Sequence, residues 1–469
     1  MFEKLKGFFI NILSLFHTST IEEVTGVKTS LSRGMFSAVE LWVDLLHGCA
    51  PWNSEVSSCG IVSQISGELA KMVKREIGLE IKNEALVRPM TRLNKNVDKI
   101  VQYMATLGGC LVRPVVSANY NVTYQLTPFG SYLPTARDFD GTLLGCIILK
   151  QINENGKKYI LIEAHNFDGV NETDETKLFL NDNGVLKPAN LNATTQTANI
   201  TPLYTWQNCG RPLFVEFRTH LLNTIDDSDE PIALINGAID LIEKADRQFD
   251  RMNWEQEAGE KKVFADKDLF RKIPKKHKDA TGKEYTTYEG GITTKSMYRL
   301  VQQIDGDGSK EGQKIVEYNP ALRTEAQNAF FQQILKRIEL TLNVGKGSIS
   351  DAEQVQQTAT QYNGGRSELF AIIDDLEDEI ELKYHDVAEV FAYICAAYGL
   401  GKYNADIVIT WNDDQTRKDV TASKTMALQE INAGVMNKSE YRVKFYGETP
   451  EEAEKNTPKE EPIPAPFGL

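Results

Sequence analysis

The sequence has no uninterrupted apolar run of the roughly 18 residues that a membrane-spanning helix needs, no CxxC pair and no excess of positive charge. Its six cysteines (Cys49, Cys59, Cys110, Cys146, Cys209, Cys395) are scattered, several inside apolar runs such as LLGCIIL and FAYICAAY. That pattern reads as buried, reduced thiols of a cytoplasmic product rather than a disulfide framework. The formal net charge of −14 argues against a surface that coats polyanions, because Lys and Arg contacts dominate nucleic-acid affinity. It leaves room for a protein that surrounds DNA without gripping it. GxSxG, HExxH and a dinucleotide fingerprint are missing, and the six histidines have no Cys or His partners at ligand spacing. No catalytic residue, cofactor or metal ligand is therefore expected. The stretch NVGKGSIS, from Asn343 to Ser350, imitates a phosphate-cradling loop. However, Leu340 stands where its first glycine is required, and a helical pattern rather than a strand precedes it.

What remains is a folded chain of 469 residues, 41% hydrophobic and 25% charged, long enough for two or three packed units. The start, MFEKLKGFFINILSLFHTS, has the outline of a signal peptide, but Asn11 and Ser14 interrupt its apolar run and no small-residue cleavage site follows. It is expected to be an amphipathic helix. Helices are expected over MFSAVELWVDLLHG, over GIVSQISGELAKMVKREIG with Ile61, Ile65, Leu69, Met72 and Val73 on one face, and over residues 85 to 107. The period then changes to short β-rich runs: GGCLVRPVVS, YNVTYQL, TLLGCIILKQI, KKYILIEAHNF, TKLFLND and RPLFVEF, with a hairpin signal in INENGKKY. An acidic turn, DDSDEP, with Pro231 suits a helix N-terminus, and the stripe Ile232, Ile235, Ile239, Ile242, Phe249, Met252 follows. Such a narrow seam fits packing against one or two neighbouring helices.

After WEQEAG comes a basic stretch, EKKVFADKDLFRKIPKKHK, which by itself reads as a solvated surface. The glycine-rich IDGDGSKEGQ lacks the 12-residue calcium loop. A second long helix is expected from about Asn319 to Asn343, with Gly345 placed as its left-handed stop. A third carries Ile373, Leu376, Ile380, Val387, Phe391 and Ile394 on one face. Its acidic cluster, Asp374, Asp375, Glu377, Asp378, Glu379 and Glu381, points around most of the helix and reads as a solvated or channel-facing surface rather than a metal site. The strand ADIVITWND, two helices and a charged, proline-rich tail expected to be disordered complete the chain.

The order of these parts, with Asp250, Trp254 and Glu255 ending the first stripe helix, Arg323 and Glu325 opening the second, the loop Gly345 to Ser350 and Thr358-Ala359-Thr360, resembles the portal proteins of tailed bacteriophages, particularly long-tailed phages of Gram-positive hosts. LWVDLLHGCAPW, WNDDQTRKD and INAGVMNKSEYRVKFYGETPEEA extend the resemblance over most of the chain. Gln361 departs from it, since family members commonly carry Glu after Thr-Ala-Thr.

The resemblance implies an α+β, portal-like subunit with no catalysis or cofactor of its own. Its parts would be a wing (1–230), stem helix 1 (231–258), a clip (259–318), stem helix 2 (319–344), a tunnel loop region (345–365), a long wing helix and strand (366–414), crown helices (415–448) and the tail (449–469). Ile235, Ile239, Ile242, Phe330, Ile334 and Ile338 would pack the stem. Lys261, Lys262, Arg271, Lys272, Lys275 and Lys276 would serve docking at the clip. Gly345, Lys346, Gly347 and Ser348 would face DNA from the tunnel loop, although Lys346 equally fits a cation complementing a helix C-terminus. The implied partners are further copies of the chain, usually twelve in a ring, the large subunit of the packaging motor, major capsid and scaffolding proteins, a head-tail adaptor, and double-stranded DNA passing through the channel; no membrane partner is expected. The implied location is a vertex of the phage head, after assembly in the host cytoplasm. Another phage head component, such as a minor capsid or connector protein, is the alternative, and a nucleotide-driven motor is a third class.

Overall fold

The computed structural model describes residues 26–117, 119–182, 185–259, 262–266, 273–278, 281–289, 300–304, 315–318, 320–351, 367–411, 420–446 and 448–457. The fold is mixed helix and sheet, consistent with the α+β class. The first part runs α1 (Arg33–Leu46), α2 (Ile61–Glu76), β1 (Ile77–Ile81), α3 (Glu84–Lys95) and α4 (Val97–Leu107). Strands β2 (Gly109–Val116), β3 (Val122–Pro128), β4 (Tyr132–Arg137), β5 (Leu143–Glu154), β6 (Lys157–Phe167), β7 (Glu172–Asp182), β8 (Val185–Ala189), β9 (Leu203–Trp206) and β10 (Val215–Arg218) follow. Next come α5 (Ile239–Ala258), β11 (Lys262–Asp266), β12 (Ile273–Lys278), β13 (Glu284–Glu289), β14 (Leu300–Ile304), β15 (Ile315–Tyr318) and α6 (Thr324–Leu342). The chain closes with α7 (Ser367–Ala397), β16 (Ile407–Trp411), α8 (Val420–Asn432), α9 (Lys438–Tyr446) and α10 (Pro450–Asn456).

Two compact units result: Met1–Ala50, Gly60–Ala238 and Glu339–Leu469 form the first, and Pro51–Cys59 with Ile239–Ile338 the second. In the first unit, β4 to β8 form an antiparallel meander with β9 added to β7, while β10, β2 and β3 make a second sheet. The β5–β6 turn is a two-residue hairpin in which Asn155 (φ 52°) and Gly156 (φ 73°) take the left-handed conformations that match strand twist. Helix α7 is the spine of this unit. It packs on β2, β3, β10, α2, α3 and β16, and Ile373, Leu376, Ile380, Val387, Phe391 and Ile394 are all buried along it. Among the described residues, no helix is long and apolar enough to cross a membrane.

Several expectations are corrected. Residues 85 to 107 form two helices, because the chain breaks at Asn96 (φ −107°, ψ 16°) between α3 and α4. The first stripe helix begins at Ile239 rather than Pro231; residues 234–238 form a short 3-10 turn, so Ile235 is not part of α5. Two of the four carboxylates of DDSDEP are committed to other partners: Asp226 accepts from Ser32 and Ser228, and Glu230 accepts from Ser30 and from Arg137 Nη2 at 2.7 Å. Burial alone would lower the Arg137 pKa, but Glu216 and Glu230 carry it upward and keep the group charged. Pro231 and Ile232 instead press against Gly108 (φ +90°), where a Cβ would stand 2.9 Å from the Ile232 carbonyl carbon.

The acidic cluster of α7 is not uniformly solvated, since Glu377 and Glu379 are buried while Asp374, Asp375 and Asp378 are exposed. Glu379 accepts from the Arg218 N–H at 3.1 Å and lies 2.9 Å from His220 Nε2. Of the tail expected to be disordered (449–469), Pro450–Asn456 forms α10, with a capping box between Thr449 and Glu452, and residues 458–469 lie outside the described residues.

Candidate functional site

The second unit is built on two antiparallel helices joined through a β-rich insertion. Phe249 of α5 and Phe331 of α6 face each other with ring centroids 6.2 Å apart, and Gln248 donates to Gln327 one turn along. At the insertion end, Glu255 accepts from the Arg323 N–H at 3.1 Å, from Arg323 Nε at 3.0 Å and from Gln327 Nε2 at 2.9 Å. The side-chain hydrogen bond from Arg323 and its backbone N–H hold the Glu255 carboxyl below its usual range.

Ile242, Ile334 and Ile338 of the expected seam are buried and Ile239 is half-buried, but Phe330 is 51% exposed; its neighbour Phe331 makes the interhelical contact. Ile235, fully buried, belongs to the core of the first unit. Sequence reasoning missed the fixed point of α5, which is Asp246, 1% exposed. Its carboxylate accepts from Trp52 Nε1 (2.9 Å), Asn53 Nδ2 (3.2 Å), the Cys59 N–H (2.8 Å) and Cys59 Sγ (3.0 Å), tying residues 51–59 to the helix.

The insertion is two small sheets, β14-β11-β15 and the hairpin β12-β13. Lys275 and Lys276 lie exposed on β12, and Lys262 occupies β11. Lys261, Arg271 and Lys272 lie outside the described residues.

The loop after α6 has a defined structure where it is described. Helix α6 stops at Leu342, and the left-handed residue that ends it is Asn343 (φ 55°), not Gly345; the Val344 N–H returns to the Glu339 carbonyl at 3.2 Å. Gly345 (φ 78°) and Gly347 (φ 80°) supply two further positive-φ positions, so three sharp reversals fit into five residues. Glu339, in the last turn of α6, is the anchor. Its Oε1 accepts the N–H groups of Ile349 (2.8 Å) and Ser350 (2.7 Å), and its Oε2 accepts Ser350 Oγ (2.8 Å). Ser348 Oγ closes the turn on the Val344 carbonyl at 2.5 Å. Lys346 is exposed at the apex, while Gly345 and Ser350 are buried beneath it. The loop therefore presents one cation on a braced backbone. Residues 352–366, which include Thr358-Ala359-Thr360 and Gln361, lie outside the described residues.

A third constellation links Arg113 of β2 to β6 and β7 of the meander. Arg113 makes paired contacts to Glu163 at 2.7 and 2.8 Å, and its Nη1 stands 3.2 Å from His165 Nε2. On the opposite ring edge, His165 Nδ1 lies 2.7 Å from Asp174 Oδ1 and 3.4 Å from Glu172 Oε1. Burial alone would lower the imidazole pKa, but the hydrogen bonds with Asp174 and Glu172 outweigh it and lift it to about 9, with Arg113 opposing them. Among the described residues, His165, Glu172 and Asp174 are also the one trio with ligand atoms close enough for a metal, within 4.8 Å of one another. Yet each carboxylate already accepts a further donor, Asp174 from Trp206 Nε1 at 2.9 Å and Glu172 from the Leu213 N–H. A cation would have to displace the proton that the two carboxylates hold on Nδ1. The trio is a closed hydrogen-bonded knot that locks β6, β7 and β9 together.

No protein-family model matches the chain, and no curated protein matches it in sequence. The functional reading therefore rests on the chain's own geometry and on the order of its parts. The helix pair and the glycines of the loop were visible in the sequence, but the bracing of that loop was not. The buried carboxylates Asp246 and Glu339 were not, since in a helical pattern each reads as an ordinary surface acid.

Proposed function

We infer that the chain is a structural, non-catalytic subunit of a phage portal: a ring at one vertex of the head through which DNA enters and leaves. The observation that carries this reading is the helix pair α5 and α6, antiparallel and separated in sequence by its own β-rich insertion, leading directly into the braced loop that displays Lys346. A stem repeated around an axis needs helices that pack both on each other and on the next copy. Trp254 is 67% exposed on α5 and Phe330 is 51% exposed on α6, which leaves large apolar side chains for heterologous contacts that close by rotation. The insertion, with Lys275 and Lys276 exposed, fits the part that docks a packaging motor and a head-tail adaptor. Net acidity, −14 per chain, suits a conduit in which phosphates are not trapped, and a ring of Lys346 residues would touch them transiently and without sequence preference.

Negative-stain imaging of the purified chain tests the reading. Rings with a central hole are expected, and Trp254→Glu with Phe330→Glu should give folded chains that no longer close into rings, because both side chains are already solvent-exposed in a single copy. A monodisperse monomer, or rings that persist in the double variant, would overturn the stem assignment.

A further inference from the structure

Four aromatic rings from three separate parts of the first unit form a continuous surface ladder. Tyr120 lies edge-on to Tyr398 (centroids 6.4 Å apart), Tyr398 lies 6.2 Å from Trp206, and Trp206 lies 4.7 Å from Tyr204, with Tyr393 flanking Trp206 at 6.4 Å. Tyr120, Tyr204 and Tyr398 are 63%, 48% and 41% exposed, and Leu203 and Leu400 are exposed beside them in sequence.

The ladder is held in place from behind. Trp206 donates its Nε1 to the buried His165–Asp174 knot, and Tyr393 Oη donates to the Gln207 carbonyl at 2.8 Å. Tyr120 keeps φ at 55°, an unfavourable value for a bulky residue, in a turn closed by its N–H on the Ser117 carbonyl at 2.8 Å and by the Ser117 N–H on Asn121 at 3.0 Å. Rigid exposed Tyr and Trp lose little entropy on binding, and aromatic-lined surfaces are the recognition mode for proline-rich segments in the polyproline II conformation.

This chain carries such a segment. Beyond Thr457 it reads PKEEPIPAPFGL, with prolines at 458, 462, 464 and 466, each fixing its own φ and biasing the residue before it toward extended conformations. Thr457 itself leaves α10 at φ −75° and ψ 123°, already close to polyproline II. In that conformation the five residues Pro462 to Pro466 span roughly 15 Å, comparable to the three ring-to-ring steps from Tyr120 to Tyr204. Arg88, exposed and hydrogen-bonded to Asn121 beside Tyr120, offers a cation at one end of the ladder for the tail's Glu460 and Glu461. We propose that the aromatic ladder is the docking site of the chain's own proline-rich C-terminal segment, residues 458–469. This holds independently of the ring reading.

The test uses a chain ending at Thr457, which retains every described residue, titrated with a synthetic peptide of residues 458–469 and followed by tryptophan fluorescence and calorimetry. Saturable binding is expected. Tyr204→Ala with Tyr398→Ala should weaken it at least tenfold, as should a peptide with Pro462, Pro464 and Pro466 replaced by Ala. Arg88→Ala should weaken it less and remove most of its salt dependence. Three outcomes overturn the proposal: no binding, equal affinity for the double variant, or indifference to the prolines. A fourth does so in favour of a second copy of the folded chain: self-association of the shortened chain that the Tyr variants abolish and the peptide leaves untouched.

Discussion

Replacing Glu339 by Ala removes the side chain that makes the most hydrogen bonds to the described backbone after α6. Three hydrogen bonds go with it: the N–H groups of Ile349 and Ser350 and the Ser350 hydroxyl, at 2.7 to 2.8 Å. Bonds to a charged acceptor contribute roughly 1.5–3 kcal/mol each. The loss is smaller than their sum, because Ile349 is half-exposed and its N–H can turn to water, whereas the Ser350 N–H is buried. Removing a negative charge from the C-terminal turn of a helix also returns about 0.3–1 kcal/mol. The net expectation for Glu339→Ala is a destabilisation of about 3 kcal/mol. Glu339→Gln keeps an oxygen for both N–H groups and relieves the same dipole clash, so it should cost only about 1 kcal/mol. Urea unfolding measures the two values. Amide exchange at Ile349 and Ser350 checks their origin, with protection lost in Glu339→Ala and largely kept in Glu339→Gln. Equal stability of both variants with the wild type, or unchanged exchange at Ser350 in Glu339→Ala, would refute the account of how this loop is braced.

Three further outcomes are expected. The His165 pKa, raised to about 9 from 6.5, contributes stability that is complete below pH 6.5 and is lost as pH rises through 9, on the order of 3 kcal/mol in all; denaturation curves from pH 6 to 10 should show this decline, flattened in His165→Gln. Asp246→Ala leaves Trp52 Nε1 and the Cys59 N–H without their acceptor and should cost about 3 kcal/mol, read by urea unfolding together with a change in Trp52 fluorescence. Lys346→Ala should change stability by no more than about 1 kcal/mol; if the chain forms the proposed ring, packaging assays should show normal rings and reduced DNA packaging, and unchanged packaging would leave Lys346 only its place beside the helix end.

Much of the architecture could be read from side-chain period. The runs that became β5 and β6 are dense in Ile and Leu with a turn signal between them, and the α7 stripe is buried position for position. One cause of the differences is that a polar residue suited to a local duty can be claimed by a tertiary partner. Asp226 and Glu230 of DDSDEP look like helix-capping groups but serve Ser30, Ser32 and Arg137. Asn343 and Gly345 both tolerate left-handed backbone, so the sequence alone does not choose between them, and the return bond from Val344 to Glu339 does. The α10 helix was readable. Thr449-Pro450-x-Glu452 is a capping box with proline at its first position, but the charged, proline-rich composition around it suggested disorder. The Arg113–Glu163 and His165–Asp174 contacts join positions up to 50 residues apart, and no local pattern announces them.

The pairing of β1 with β16 sets the order in which the first unit can be completed. Ile77 lies opposite Trp411 and Ile81 opposite Ile407, so the partner of β1 emerges from the ribosome more than three hundred residues after it. Neighbouring strands such as β5 and β6 can zip as soon as their turn is made, but β1 has no partner until β16 has been made, and long-range pairing of this kind is slow because the loop must close first. A nascent chain therefore carries an unsatisfied strand edge until β16 is made, and a polypeptide truncated before β16 keeps that edge open to aggregation. Completion of this two-stranded sheet waits on Trp411: a chain that stops short of β16 leaves β1 unpaired.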